Sequence, residues 1–303
     1  MSSPAVASSH SAPGPIAPSA TFQFAATGGV GLYGEWFAAD QPRATALVLH
    51  GYLEHCGRYR ELAHVLTAAG VATLTYDMRG HGRAEGQRSY IGSFGDYLDD
   101  LDAAAAELDR RAAELSPERT LPRLLIGHSN GALTALRALC DPARAPAGIT
   151  AAILSSPFLG FKVKVPALKA FVGKIAGRFL PTLSLPSELP LEHLTSDPDK
   201  QRERRLDTLC NDVASSGWFL AVQETHAYVA AHASAVALPT LWVVGGDDHI
   251  ADPAVSRTVS SQLGTAPRYH ELAGFQHEVF NERERGQVFD LVRAFIDDVV
   301  PPA

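Results

Sequence analysis

The 303-residue chain is 46% hydrophobic and sets 26 basic against 33 acidic side chains, a formal net charge of −7. That length suits one large α/β domain or one domain carrying an insert, and the acidic balance provides no basic surface for nucleic acid. Cys56, Cys140 and Cys210 are odd in number and lack CxxC spacing, which argues against a disulfide framework or a thiolate zinc site and fits a reducing, cytoplasmic setting.

Residues 1–20 contain no Lys or Arg and are interrupted by Pro4, Pro13, Pro15 and Pro18. They read as a disordered tail, since a signal peptide needs a basic start and an unbroken apolar run. A hairpin turning at Gly28 and Gly29 is expected over 21–39. Short apolar runs then recur at Ala44–His50, Val71–Asp77, Leu121–Ser129, Ile149–Ser156, Pro239–Gly246 and Arg268–Gly274, each flanked by turn residues. Between them the period becomes helical, as in Phe94, Leu98, Leu101, Ala105 and Leu108. This alternation predicts a mostly parallel central sheet flanked by helices, assembled from residues 21–157 and 236–303. Asn281, with Glu284 three residues on, is expected to cap the final helix.

Residues 158–235 break the alternation, hold no convincing strand, and read as a helical cap inserted into the core. A helix starting at Pro166 would align Leu168, Phe171, Val172, Ile175 and Phe179, with Lys169, Lys174 and Arg178 on other faces. Such a stripe packs over the core or makes transient contact with a lipid or micelle surface. No later stretch is long enough to span a bilayer.

The chemistry centres on Gly127-His128-Ser129-Asn130-Gly131, a G-x-S-x-G between an apolar strand and a helical run. Small neighbours let the backbone take the sharp turn that exposes the serine hydroxyl at a helix N-terminus. Serine needs a histidine to take its proton and a carboxylate to orient that histidine. Downstream, the loop Gly245-Gly246-Asp247-Asp248-His249-Ile250-Ala251-Asp252 follows a strand, and Asp248 is the chosen acid. Asp252 before Pro253 suits a helix cap, Asp247 a turn, and the loop lacks a recognised metal-ligand spacing. Of the later histidines, His249 is too near the acid in sequence and His270 lies within a strand pattern, leaving His277 as the base. Backbone N–H groups of Tyr52, after His50-Gly51, and Asn130 are assigned to the oxyanion hole.

These motifs carry a resemblance. His50-Gly51-Tyr52-Leu53-Glu54-His55-Cys56-Gly57-Arg58-Tyr59 resembles the HGxxEHxxRY block of monoacylglycerol lipases and related lysophospholipases, a serine aminopeptidase-like branch of the α/β-hydrolases. Asp77-Met78-Arg79-Gly80-His81-Gly82 with Glu85-Gly86 resembles a second family segment, with Ala84 where serine is usual. The resemblance implies an α/β-hydrolase fold, a cap over an acyl-chain tunnel, hydrolysis of monoacylglycerols, lysophospholipids or similar acyl esters, and no cofactor. It also carries Glu54 and Arg58 over as residues near the alcohol headgroup, although a purely structural salt bridge accounts for the pair equally well. Departures are Asn130 in place of methionine, Arg204 in place of a headgroup-contacting tyrosine, and a bulky Tyr52. Short-chain carboxylesterase, thioesterase or aminopeptidase chemistry suits the same scaffold, and a non-catalytic receptor is the alternative of another class.

Overall fold

The computed structural model describes residues 12–162, 175–187 and 189–302. Among these, the strands in chain order are β1 (Ala20–Ala25), β2 (Gly31–Phe37), β3 (Ala44–Leu49), β4 (Val71–Asp77), β5 (Arg123–His128), β6 (Ile149–Ser155), β7 (Ser184–Pro186), β8 (Val213–Ser215), β9 (Thr240–Gly245) and β10 (Arg268–Leu272). The helices are α1 (Arg60–Ala68), α2 (Gly95–Leu115), α3 (Asn130–Leu139), α4 (Pro198–Leu206), α5 (Ser216–His232), α6 (Pro253–Ser260) and α7 (Gly286–Val299).

Eight of the described strands form one sheet in the order β1-β2-β4-β3-β5-β6-β9-β10. The β1-β2 hairpin and the β2-β4 pair are antiparallel, and every other pairing is parallel. Side chains in β3, β4 and β5 are buried at every position, the consequence of helices on both faces of a parallel sheet. Successive residues point to opposite sides. Leu47, Leu49 and Leu74 therefore pack with Leu98, Leu101, Leu133 and Leu136 of α2 and α3 on one face. Val48, Leu124 and Ile126 pack with Leu62 and Val292 of α1 and α7 on the other. The mostly parallel, helix-flanked sheet expected from the strand pattern is the observed one, and it is the architecture of the α/β-hydrolase fold that the resemblance implies.

Three local expectations differ. Residues 12–19, assigned to the disordered tail, lie against the domain: the Ile16 N–H donates to the Arg60 carbonyl at 3.4 Å, and His64 Nδ1 bonds the Gly14 carbonyl at 2.8 Å. Pro13, Pro15 and Pro18 pre-set an extended backbone, so little entropy is lost on laying it down. The final helix starts at Gly286 without a side-chain cap. Asn281 instead donates to Glu278 at 2.9 Å, and Glu284 accepts from Gln287 at 2.7 Å. Finally, the segment between β6 and β9 contains a strand pair, since β7 and β8 form a short antiparallel ribbon. Three-residue strands are too short to show a period in sequence. The helix expected from Pro166 falls mainly on residues 163–174, outside the described residues; residues 175–179 are helical.

Candidate active site

β5 runs straight into α3, and Ser129 sits at the junction with φ 51° and ψ −114°. A non-glycine residue in that region carries backbone strain of about 1–3 kcal/mol, held here by flanking bonds. The Ser129 N–H donates to the Ser155 carbonyl at 2.9 Å, and its carbonyl accepts from Leu133 at 2.9 Å and Phe158 at 3.1 Å. Glycine is required on both sides by space. A Cβ at Gly131 would collide with the carbonyl oxygen of Leu49, and one at Gly127 would lie 2.6 Å from that of Gly131. The first turn of α3 is thus pressed onto the end of β3, which aims the serine at the C-terminal edge of the sheet.

Ser129, His277 and Asp248, chosen from loops far apart in sequence, are brought together. His277 Nε2 lies 2.8 Å from Ser129 Oγ, and its Nδ1 lies 2.7 Å from Asp248 Oδ2. The other carboxylate oxygen of Asp248 accepts the N–H groups of Ile250 at 2.7 Å and Ala251 at 2.9 Å. With both oxygens committed, the carboxylate accepts a hydrogen bond from Nδ1–H, which keeps the proton on Nδ1 and leaves Nε2 as acceptor for the serine hydroxyl. Burial opposes charging of His277, yet the Asp248 carboxylate outweighs it and holds the pKa above the ordinary imidazole value. The neighbouring His128 is driven the other way, down to about 3, by burial and by His277 beside it.

The rest of the acidic loop separates into structural roles. Asp252 caps α6 by accepting the Ala254 N–H at 3.1 Å, Asp247 is solvent-facing, and the His249 ring lies 4.7 Å from that of His193. Among the described residues, the donor set assembled within metal-binding reach lies elsewhere: His55, Asp207 and Cys210, whose candidate ligand atoms fall within 4.8 Å of one another. The Cys56 thiol is pushed well up by burial and by the Asp77 charge, which disfavours the reactive thiolate.

The loop after β3 turns beside the serine. His50 Nδ1 bonds the Gly51 carbonyl at 2.6 Å while its Nε2 accepts the Met78 N–H at 3.0 Å, and Gly51 donates to Glu54 at 2.6 Å. Among the described residues, the backbone N–H groups of Tyr52 and Asn130 have no hydrogen-bond partner. Glu54 and Arg58 form a buried charge cluster with Glu278, the residue after His277. Arg58 lies 3.5 Å from Glu54 and 2.6 Å from Glu278, and the Tyr59 hydroxyl donates to Glu54 at 2.6 Å. Burial raises the Glu54 carboxyl, but Arg58 prevails and leaves it below its usual value. Glu54 borders the cavity beside Ser129; Arg58 stands behind it, bridging the loop after β3 to the loop that carries His277. Arg204 also lies away from the cavity lining, donating to the Leu53 and Asn211 carbonyls at 2.9 and 3.3 Å.

The cavity above Ser129 has a volume of about 450 Å³. Its walls are largely apolar, with Leu53, Phe158, Phe161, Leu194, Trp218 and Ile250, and Glu54, His193, His249 and Glu278 supply the polar parts. Several of these come from the segment between β6 and β9, which is tied to both loops of the relay. The Lys162 backbone N–H donates to the Ile250 carbonyl at 3.0 Å, and the Glu278 N–H donates to the Leu194 carbonyl at 2.7 Å. Sequence reasoning missed Glu278, His193 and Trp218. Glu278 was findable as the neighbour of the chosen base, whereas His193 and Trp218 carry no local signal and reach the cavity only through the packing of their segment.

The geometry has counterparts. Residues 40–284 match the family described as serine aminopeptidase, S33. Phospholipase YtpA of Bacillus subtilis is 32% identical over 267 residues, covering 86% of this chain and 98% of that protein. The monoacylglycerol lipase of Mycolicibacterium smegmatis is 30% identical over 276 residues, covering 90% and 95%. Among solved structures, the monoacylglycerol lipase of Paleococcus ferrophilus superposes with a TM-score of 0.76 at 28% identity, over 87% of this chain and 99% of that one. Because the match runs from before β3 past His277, through the elbow and both loops of the relay, the chain belongs to the serine aminopeptidase S33 family of α/β-hydrolases.

Proposed function

We propose that this protein is a serine ester hydrolase acting on monoacylglycerols, lysophospholipids or similar acyl esters. One observation carries the reading: an unbroken hydrogen-bonded path from Ser129 through His277 to Asp248 at the base of an apolar cavity. Ser129 Oγ attacks the ester carbonyl carbon while His277 Nε2 takes its proton, and the tetrahedral oxyanion is met by the Tyr52 and Asn130 N–H groups. As the carbon–oxygen bond to the alcohol breaks, His277 returns that proton to the leaving oxygen. Water then enters, His277 removes its proton, and the acyl-serine ester is cleaved to free acid and regenerated Ser129.

Glu54 and Arg58 act in this scheme mainly as positioning residues, because Glu54 holds the Gly51 N–H and Arg58 joins it to Glu278. The segment over 158–235 serves as a cap. Its outer surface presents Phe179 at 73% and Leu185 at 60% exposure, beside Leu180 and Leu183, a suitable patch for brief contact with micelles or membranes. Among the described residues no helix is long and apolar enough to cross a membrane. The three free cysteines support a reducing, cytoplasmic setting for an enzyme that visits lipid surfaces. The relatives named as a phospholipase and as monoacylglycerol lipases support an acyl-lipid substrate.

The test is hydrolysis of p-nitrophenyl esters from acetate to palmitate, with monooleoylglycerol and a lysophospholipid, together with fluorophosphonate labelling of wild type and Ser129→Ala. Turnover of the long-chain and glycerol esters, with labelling abolished in Ser129→Ala, is the expected result. Acetate turnover alone would shift the reading to a short-chain esterase, and absence of both labelling and turnover would remove it.

A further inference from the structure

We propose that Trp218, in the first turn of α5, is a positioning residue that sets the spacing of the two oxyanion-hole residues and thereby links the cap to the hole. The inference rests on the proposed assignment of Tyr52 and Asn130 as oxyanion donors.

Trp218 touches both. Its ring stacks flat on Tyr52, with centroids 3.7 Å apart and an interplanar angle of 7°. Its indole N–H donates to Asn130 Oδ1 at 3.1 Å. An indole nitrogen only donates, so this bond also decides which way the Asn130 carboxamide faces. That carboxamide is fully buried, and its Nδ2 has no partner among the described residues. The indole contact is therefore the one polar anchor of the Asn130 amide group among those residues.

Tyr52 is fixed on its remaining sides. Its hydroxyl donates to the Ser89 carbonyl at 2.6 Å and accepts the Ser215 N–H at 3.3 Å, and its ring meets the His81 ring edge-on. Trp218 is itself held by Ser215, whose hydroxyl accepts the Trp218 N–H at 3.2 Å and donates to Ser89 at 2.7 Å. One side chain of the inserted segment thus spans the loop after β3 and the start of α3, the two core elements that must stay in register around a developing oxyanion. Hydrogen bonds to an oxyanion are sensitive to placement, and loss of a whole donor costs about 10²–10³ in rate. Misplacing one costs less.

Trp218 also lines the cavity, and a simple wall would affect substrate binding rather than the chemical step. The two roles separate in kinetics. Trp218→Phe keeps an aromatic ring and removes the indole N–H; Asn130→Leu keeps approximate size and removes the acceptor. With thermal unfolding confirming a native fold, both are measured on p-nitrophenyl acetate and decanoate. Each single variant should lower kcat about 10-fold on both esters with KM changed less than twofold, and the double variant should lose no more than the worse single. A KM increase that grows with chain length, or losses that multiply in the double variant, would overturn the positioning role.

A second measurement does not depend on turnover: hydrogen exchange of the Trp218 indole N–H, followed by NMR with Trp36, Trp218 and Trp242 assigned by Phe replacement. Exchange should quicken at least tenfold in Asn130→Leu, and unchanged protection would overturn the proposed bond. A wild type that turns over no ester would instead defeat the parent reading. The inference would fall with it, and that outcome is distinct from an active wild type whose variants are indifferent.

Discussion

β3, β4 and β5 seal every side chain, while β7 and β8 leave most of theirs partly or fully exposed, Leu185 of β7 among them, and Phe179 just before β7 also faces solvent. The sheet places Ser129, Asp248 and His277 at strand ends that close packing cannot let drift. The inserted segment supplies Phe161, His193, Leu194 and Trp218 to the same cavity from a smaller, more open scaffold. In the proposed reading, reaction chemistry belongs to the closely packed part, and substrate shape to the part with least packing around it. The two meet where Leu194 and Lys162 bond the loops that hold His277 and Asp248 and where Trp218 spans Tyr52 and Asn130.

The comparison breaks first at the nucleophile. Ser129→Ala should lower kcat about 10⁴–10⁶-fold in steady-state assays, with the fold unchanged by circular dichroism. Retained turnover would show that the chemistry lies elsewhere. Asp248→Asn should cost about 10⁴-fold, and it carries a pH signature. His277 must be neutral to accept the serine proton, so wild-type activity falls as pH drops through its raised pKa. Removing the Asp248 charge removes the main raising influence while burial still lowers the value, and the acid limb of kcat/KM should move to lower pH. Asp252→Ala provides the control: loss of the α6 cap should cost about 1 kcal/mol of stability with kcat within twofold.

Beneath the chemistry, Arg58→Met should leave Glu54 and Glu278 facing each other without their cation, destabilising the protein by about 3–5 kcal/mol in denaturant titration. Arg257→Met, removing an exposed partner of Glu271, should change stability by less than about 1 kcal/mol. A similarly small effect is expected at the exposed apolar surface of the inserted segment. Phe179→Asp with Leu185→Asp should reduce hydrolysis of micellar monooleoylglycerol about fivefold, roughly 1 kcal/mol, and leave a soluble short-chain ester unchanged. Equal loss on both substrates would mean that this patch supports the fold rather than a lipid contact.

How far each part was legible follows from the range of its interactions. The strand runs show in sequence because parallel strands buried on both faces must be continuously apolar, and the apolar run Val71–Asp77 has the same bounds as β4. The elbow shows because Gly127 and Gly131 answer to backbone clashes within a few residues. Asp252 before Pro253 is a cap in sequence pattern and in structure alike. Asn281 and Glu284 form an equally good local cap pattern, but Glu278 and Gln287 claim their side chains, and α7 begins later. Tertiary competition for a side chain leaves no trace in a capping motif.

Residue order alone therefore determined the class of sheet, the strained serine between a strand and a helix, and a short list of acids and bases, since these depend on periodicity and steric rules acting over a few residues. Only the tertiary structure decided that Arg58 bridges two glutamates instead of reaching the cavity, that residues 12–19 lie along α1, and that Trp218 connects Tyr52 to Asn130. Those contacts join segments up to 220 positions apart. Their energies come from burial and pairing that exist only once the chain has closed around them.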